Sequence, residues 1–180
     1  MNACVIIPAR YKSTRLPGKP LVNLLGKPMV LWVCEASAKA VGMDNVFVAT
    51  DDRRIMDVVH MAGFKFIQTS NNAITGTDRV AEAALGLDYD IYVNVQGDEP
   101  LVDPNDILEA ITQKKRYPNY IINGFTDISS NEDPSSLNIP KVIINESGML
   151  VYISRALIPG YKKFVDKPKC YKKQVCIYAF

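Results

Sequence analysis

Short apolar runs alternate with amphipathic segments along most of this chain, and no other feature constrains the fold as much. Residues 3 to 8, 45 to 50, 65 to 68 and 90 to 95 read as strands, several of them apolar throughout, as strands buried on both faces must be. Between them, Pro28 to about Ala40 carries Met29, Val30, Val33 and Ala36 at helical spacing. The segment after Asp51 and Asp52 carries Ile55, Val58, Val59 and Ala62 on one face, and 77 to 86 shows a third helical pattern. This order predicts an α/β fold with a mostly parallel sheet covered on both faces. Farther on, 104 to 115 reads as a helix and 120 to 125 and 141 to 145 as strands, with a more irregular section from 149 that begins strand-like. With 180 residues, 48% hydrophobic and 22% charged, the chain suits a single domain over 1 to 180 with a sizeable core.

The first strand breaks into ARYKSTRLPGKP, which holds Arg10, Lys12, Arg15 and Lys19 and no acid. Pro8, Pro17, Gly18 and Pro20 keep it from becoming helix, so its amides stay available to a ligand, and clustered arginine and lysine complement a polyphosphate. The spacing matches neither GxxxxGK[ST] nor GxGxxG, and the segment is expected to be a different kind of triphosphate loop. The C-terminal end of the strand at 90 to 95 runs directly into Gln96, Gly97, Asp98 and Glu99, and the ends of parallel strands are where open α/β folds bind ligands. A carboxylate there, beside a phosphate loop, makes Asp98 the candidate ligand for Mg²⁺ bridging to the triphosphate. Gly97 lets backbone approach closely, and Gln96 offers a donor and an acceptor. The polar stretch 69 to 79 suits hydrogen bonding to a base and ribose, but Thr75 or Thr77 serves equally well as the cap of the following helix.

PARYxSTRLPGKPL resembles the signature loop of the sugar cytidylyltransferases, most of all the 3-deoxy-manno-octulosonate cytidylyltransferases, or CMP-Kdo synthetases. The resemblance continues in order through GKPM at 26 to 29, VATDD at 48 to 52, GTDR at 76 to 79, NVQGDEP at 94 to 100, PKV at 140 to 142 and SRALIP at 154 to 159. It implies a three-layer, Rossmann-like nucleotide-diphospho-sugar transferase fold. It also implies a reaction: the anomeric hydroxyl of an acidic 3-deoxy-ulosonic sugar attacks the α-phosphorus of CTP, giving CMP-sugar and pyrophosphate with Mg²⁺ as cofactor. Carried over by motif, Arg10, Lys19 and Asp98 are catalytic and Asp98 holds the metal. The nucleotide falls to Pro8, Ala9, Arg10, Arg15, Lys19, Thr75, Gly76, Arg79, Gln96 and Gly97. The sugar falls to Gln96, Arg155, Gln174 and Tyr178, with Arg155 able to grip a carboxylate through two parallel hydrogen bonds. Lipopolysaccharide or capsule synthesis and a homodimer follow from the same resemblance, while the ordinary globular composition by itself leads to the expectation of a cytoplasmic location.

The chain also departs from that pattern. Ala73 and Thr75 stand where relatives have histidine and serine, and in KKQVCIYAF Gln174 and Cys176 stand where histidine and glycine are usual. Glutamine still hydrogen-bonds hydroxyls but does not become cationic near neutral pH. The expected sugar is therefore Kdo, a modified Kdo such as 8-amino-Kdo, or a sialic-type nonulosonic acid. The apolar run VCIYAF stops at Phe180 without a turn, so the chain is expected to be incomplete at its C-terminus; the resemblance implies that a dimerisation helix and a second magnesium-binding aspartate would follow. Those features also raise the alternative of a degenerate, CTP-binding regulatory homologue.

Other classes fit less well. A net charge of +2 is small for a nucleic-acid binder, and the acidic QGDEP following the basic loop argues against a general basic interaction module. No apolar run reaches membrane-span length and no signal-peptide pattern opens the chain. Cys4, Cys34, Cys170 and Cys176 form no CxxC and are expected to be reduced thiols. His60 lies off the apolar stripe of its helix, the six lysines between 161 and 173 read as a solvated loop, and Met29 and Trp32 read as core.

Overall fold

The computed structural model describes residues 1–12 and 16–180, which group into two compact units: Met1–Ile122 with Cys176–Phe180, and Asn123–Val175. In the first unit, β1 (Ala3–Pro8), β4 (Val46–Thr50), β5 (Lys65–Gln68) and β6 (Ile91–Val95) form parallel ladders in the order β5-β4-β1-β6. The last residues of β10 (Lys172–Ala179) add an antiparallel neighbour to β6, pairing Ile177 with Val95 and Ala179 with Val93. A small hairpin, β2 (Asn23–Leu24) with β3 (Lys27–Pro28), precedes α1 (Met29–Val41). The other helices are α2 (Arg53–Met61), α3 (Gly76–Ala84) and α4 (Pro104–Arg116). The α/β fold with a mostly parallel sheet, expected from the sequence, is thus borne out.

Side-chain alternation explains the layering. Cys4 and Ile6 of β1 and Phe47 and Ala49 of β4 pack with Val80 and Ala83 of α3 on one face. Their neighbours Val5, Ile7, Val46 and Val48 point the other way and are fully buried, on the side where α1 packs on β1 and β4 and α4 packs on α1. Each such valine or isoleucine contributes about 1.5–3 kcal/mol through burial. The starts of α2, α3 and α4 are capped by side chains: Asp52 accepts from Arg54 N at 3.0 Å, α3 begins with a full capping box, and Asp103 accepts from Asn105 N at 2.8 Å.

The second unit is built from β7 (Ile122–Asp127, from Asn123 on), β8 (Lys141–Ile144), β9 (Leu150–Ser154) and the start of β10. β8 pairs antiparallel with both β9 and β10, with a register shift at Ile143/Ile144. Lys141 is fully buried here, its ammonium donating to the carbonyls of Ser136 and Arg155. Burial, assisted by the nearby Arg155, pushes its pKa down. The section from 149, read from sequence as irregular, begins as a regular strand because β8 supplies the ladder it needs.

Candidate functional site

At the C-terminal ends of β1 and β6, the first unit opens a cleft of about 290 Å³. Backbone approach shapes its floor. A Cβ on Gly97 would stand 2.9 Å from the carbonyl oxygen of Pro8, so only glycine lets β6 leave the sheet this close to β1. Gly76, first residue of α3, is nearly as confined, with Gln96 Oε1 3.2 Å and Pro8 Cγ 3.3 Å from where its Cβ would lie. Pro8, Ala9, Gly76, Gln96 and Gly97 therefore make a close-packed junction of two strand ends and a helix start.

Charge is arranged around that junction. Arg10, Lys19 and Asp98 line the cleft, and Lys19 Nζ donates to Asp98 Oδ2 at 2.5 Å across 79 residues of sequence. With both side chains about 40% exposed, at 38% and 44%, this pair adds little stability, and its interest lies in where it stands. Thr75 and Gly76 bring the N-terminus of α3 to the cleft wall. Thr75 Oγ1 accepts from Asp78 N at 3.1 Å, while Asp78 Oδ2 accepts from Thr75 N at 2.9 Å. The Thr75 hydroxyl and amide together hold the Asp78 carboxyl below the usual range. Arg79 lines the cleft but is only 4% exposed. Its guanidinium donates to Thr69 Oγ1 and lies 3.4 Å from Asp51 Oδ1, tying the 69–75 segment to the end of β4. The Asp51 oxygen is buried without a hydrogen bond, so this is an ion pair without hydrogen-bond geometry.

Behind the basic segment is a support that the sequence reading did not single out. Gly18, at φ 71°, donates its N–H to the Tyr11 carbonyl at 2.8 Å, and a Cβ there would touch the Tyr11 ring at 3.0 Å. The Arg54 guanidinium lies over that ring, 3.3 Å from its centroid, and holds Asp52 with two hydrogen bonds of 2.9 and 2.7 Å. These bonds, with the Arg54 amide and the charges of Arg54 and Lys12, keep the Asp52 carboxyl below its ordinary value. The signal available was VATDDRR directly after a strand, of which only VATDD figures in the resemblance.

Of the expected residues, the cleft gathers Pro8, Ala9, Arg10, Lys19, Thr75, Gly76, Arg79, Gln96, Gly97 and Asp98. Arg15 falls outside the described residues. Tyr178 sits opposite Asn94 in the β6–β10 ladder, its ring stacked on Phe180 at 6.3 Å. Arg155 and Gln174 belong to the second unit. Arg155 donates to the carbonyls of Leu137 and Asn138 at 3.0 and 3.2 Å, and Gln174 Nε2 donates to Asn123 Oδ1 at 3.1 Å. Asn94 was also missed: it is fully buried on β6, and its Oδ1 accepts from Gln96 Nε2 at 3.0 Å, which orients the Gln96 amide in the cleft wall. Among the described residues, no three His, Cys, Asp or Glu side chains gather as an all-protein metal site, and no helix is long and apolar enough to cross a membrane.

The profile of the family described as Cytidylyltransferase matches residues 4–180. The chain belongs to the cytidylyltransferase family. Among relatives, 3-deoxy-manno-octulosonate cytidylyltransferase of Trichlorobacter lovleyi is 46% identical over 163 residues, 90% of this chain. The 8-amino-3,8-dideoxy-manno-octulosonate cytidylyltransferase of Shewanella frigidimarina is 40% identical over 186 residues, covering 100% of this chain and 75% of that protein. A solved structure of CMP:2-keto-3-deoxy-manno-octonic acid synthetase complexed with CTP superposes with a TM-score of 0.90 at 39% identity, over 100% of this chain and 74% of that one. The chain spans 65% of the length of the Trichlorobacter relative. As a cytidylyltransferase fold, it carries its cleft at the ends of the parallel strands.

Proposed function

We propose that this cytidylyltransferase activates Kdo or a modified Kdo with CTP, releasing pyrophosphate and forming the CMP-sugar. The observation that carries the proposal is the cleft of the first unit. There Arg10 and Lys19, Asp98, and the start of α3 converge from three separate stretches, in a chain 39% identical to a synthetase solved with CTP. The sugar hydroxyl forms a new bond to the α-phosphorus, the bond to the β-phosphate oxygen breaks, the hydroxyl proton is released, and pyrophosphate carries away the electron pair. Bringing two anions together is the difficulty: like charges 4 Å apart repel by about 4 kcal/mol at an effective dielectric of 20. Arg10 and Lys19 offset that repulsion and hold the departing phosphates, while Gln96 and Gly97 set the approach. No side chain need act as nucleophile.

The donor set fits magnesium. Mg²⁺ takes one or two carboxylates and fills its remaining positions with phosphate oxygens and water, and Asp98 is the exposed carboxylate on this cleft. When bound there it would neutralise phosphate charge. Lys19 would then exchange its Asp98 contact for a phosphate oxygen. The product's destination in lipopolysaccharide or capsule, a cytoplasmic location and a homodimer are parts of the same proposal.

Two sugars are favoured by specific relatives, Kdo and its 8-amino derivative. The deciding assay is pyrophosphate release with CTP and Mg²⁺ across Kdo, 8-amino-Kdo and a sialic acid, with the product mass determined. Release with either octulosonate is expected. Release with the sialic acid alone would replace the sugar assignment, and CTP binding without release on any sugar would favour the regulatory homologue.

A further inference from the structure

We propose that Arg54 is a positioning residue for the nucleotide segment, clamped by Asp52 and bearing on Tyr11 so that Arg10 and Lys19 are held at the cleft before CTP arrives. The inference rests on the reading of that cleft as the CTP site.

Three contacts form one chain of support. Asp52 is fixed as the cap of α2 through Arg54 N, and its two carboxylate oxygens take Nε and one terminal nitrogen of Arg54. That fork aims the guanidinium plane, which lies over Tyr11, a residue 43 positions earlier in the chain. Tyr11 in turn is backed by Gly18 through both its ring and its carbonyl, immediately before Lys19. The residue preceding Arg54, the first of α2, supplies the contrast. Arg53 makes an ordinary i,i+4 pair with Asp57 and its side chain is 85% exposed, whereas Arg54 is 58% exposed and lies over the Tyr11 ring, with its Asp52 partner 18% exposed. Equal charge, one residue apart, meets the basic segment in one case and solvent in the other.

A planar guanidinium both forks onto a carboxylate and stacks on a ring, and an ammonium does neither well. Lysine at 54 therefore keeps the charge and loses the positioning. Ordering the segment in advance spares that cost on binding, so losing the support weakens CTP binding without touching the reacting groups.

The test measures CTP affinity by titration calorimetry and CTP kinetics for wild type, Arg54→Ala, Arg54→Lys, Tyr11→Leu and Arg53→Ala, with hydrogen exchange at the Gly18 amide. Arg54→Ala, Arg54→Lys and Tyr11→Leu are each expected to raise Kd and KM for CTP roughly tenfold with kcat little changed. Exchange at Gly18 should be faster in all three, thermal midpoints should be retained, and Arg53→Ala should match wild type. Unchanged affinity and exchange in Arg54→Ala overturn the proposal. So does full retention by Arg54→Lys, or an equal loss in Arg53→Ala, because charge alone would then account for the effect. Wild type that binds no CTP overturns the reading of the cleft, and the Gly18 exchange then decides by itself whether Arg54 holds the segment.

Discussion

Gly97 shows how a single residue carries the site. Its missing side chain is required by a carbonyl oxygen 2.9 Å from the Cβ position, and backbone cannot swing aside as a flexible side chain can. Gly97→Ala is therefore expected to cost about 1–3 kcal/mol, as overpacking does, and to weaken CTP binding as Pro8 and Gln96 shift. Thermal melts and a CTP titration on the same preparation check both. Asp98→Asn should do the reverse. Its partner Lys19 is exposed enough that stability changes by less than about 1 kcal/mol. Pyrophosphate release should fall at least a hundredfold or so, the scale on which one lost electrostatic contact in a transition state acts, and added Mg²⁺ should not restore it. Both positions were legible in NVQGDEP through the resemblance of the whole motif, since a glycine and an acid after a strand serve equally well as an ordinary turn. Arg79 was less legible: its motif points to the nucleotide, yet its guanidinium is spent on Thr69 and Asp51.

At the scale of elements, helix α3 owes its start to Thr75 and Asp78. Thr75→Ala removes the acceptor for Asp78 N and should cost about 1 kcal/mol, read from chemical denaturation. The pH dependence has a definite sign. The Asp78 carboxyl is depressed in the folded protein, so its contribution is present above the ordinary aspartate pKa of about 3.9 and is lost as pH falls through the lower folded value. The difference between wild type and Asp78→Asn should therefore be full at pH 7 and vanish in strong acid. Glu132 of the second unit follows the same rule over a wider window. Lys173 first, and then the Ser129 amide, bring its pKa down to about 2. Its contribution is complete above about pH 4.3 and fades toward pH 2, which a carboxyl titration by NMR would show. The capping role of Thr75 was one of two readings the sequence left open, since the same polar residues serve a ligand or a helix end. Strand β9 followed a similar course: LVYI is strand-like, but only its pairing with β8 makes Leu150–Ser154 a strand.

Across the whole molecule, burial divides the cysteines. Cys4 and Cys34 lie at 0% exposure in the first unit, and burial pushes both thiols up to about 12, whereas Cys170 is exposed. A thiol reagent at pH 8 should modify Cys170 in the native protein and reach Cys4 and Cys34 only on unfolding, so their rate reports opening of the first unit. What the sequence determined by itself was the local grammar. Continuous apolar runs dictate buried strands, helical spacing dictates which faces pack, and glycine, proline and clustered charge mark where strands end at a cleft. What the tertiary structure decided was every relation between distant residues: Lys19 against Asp98, Arg54 on Tyr11, and Lys141 buried against the carbonyl of Arg155. The reason is physical. Periodicity records whether a side chain meets core or water, a property of its own neighbourhood. Which polar partner it meets depends on how strands far apart in sequence are brought into register, and no local pattern encodes that.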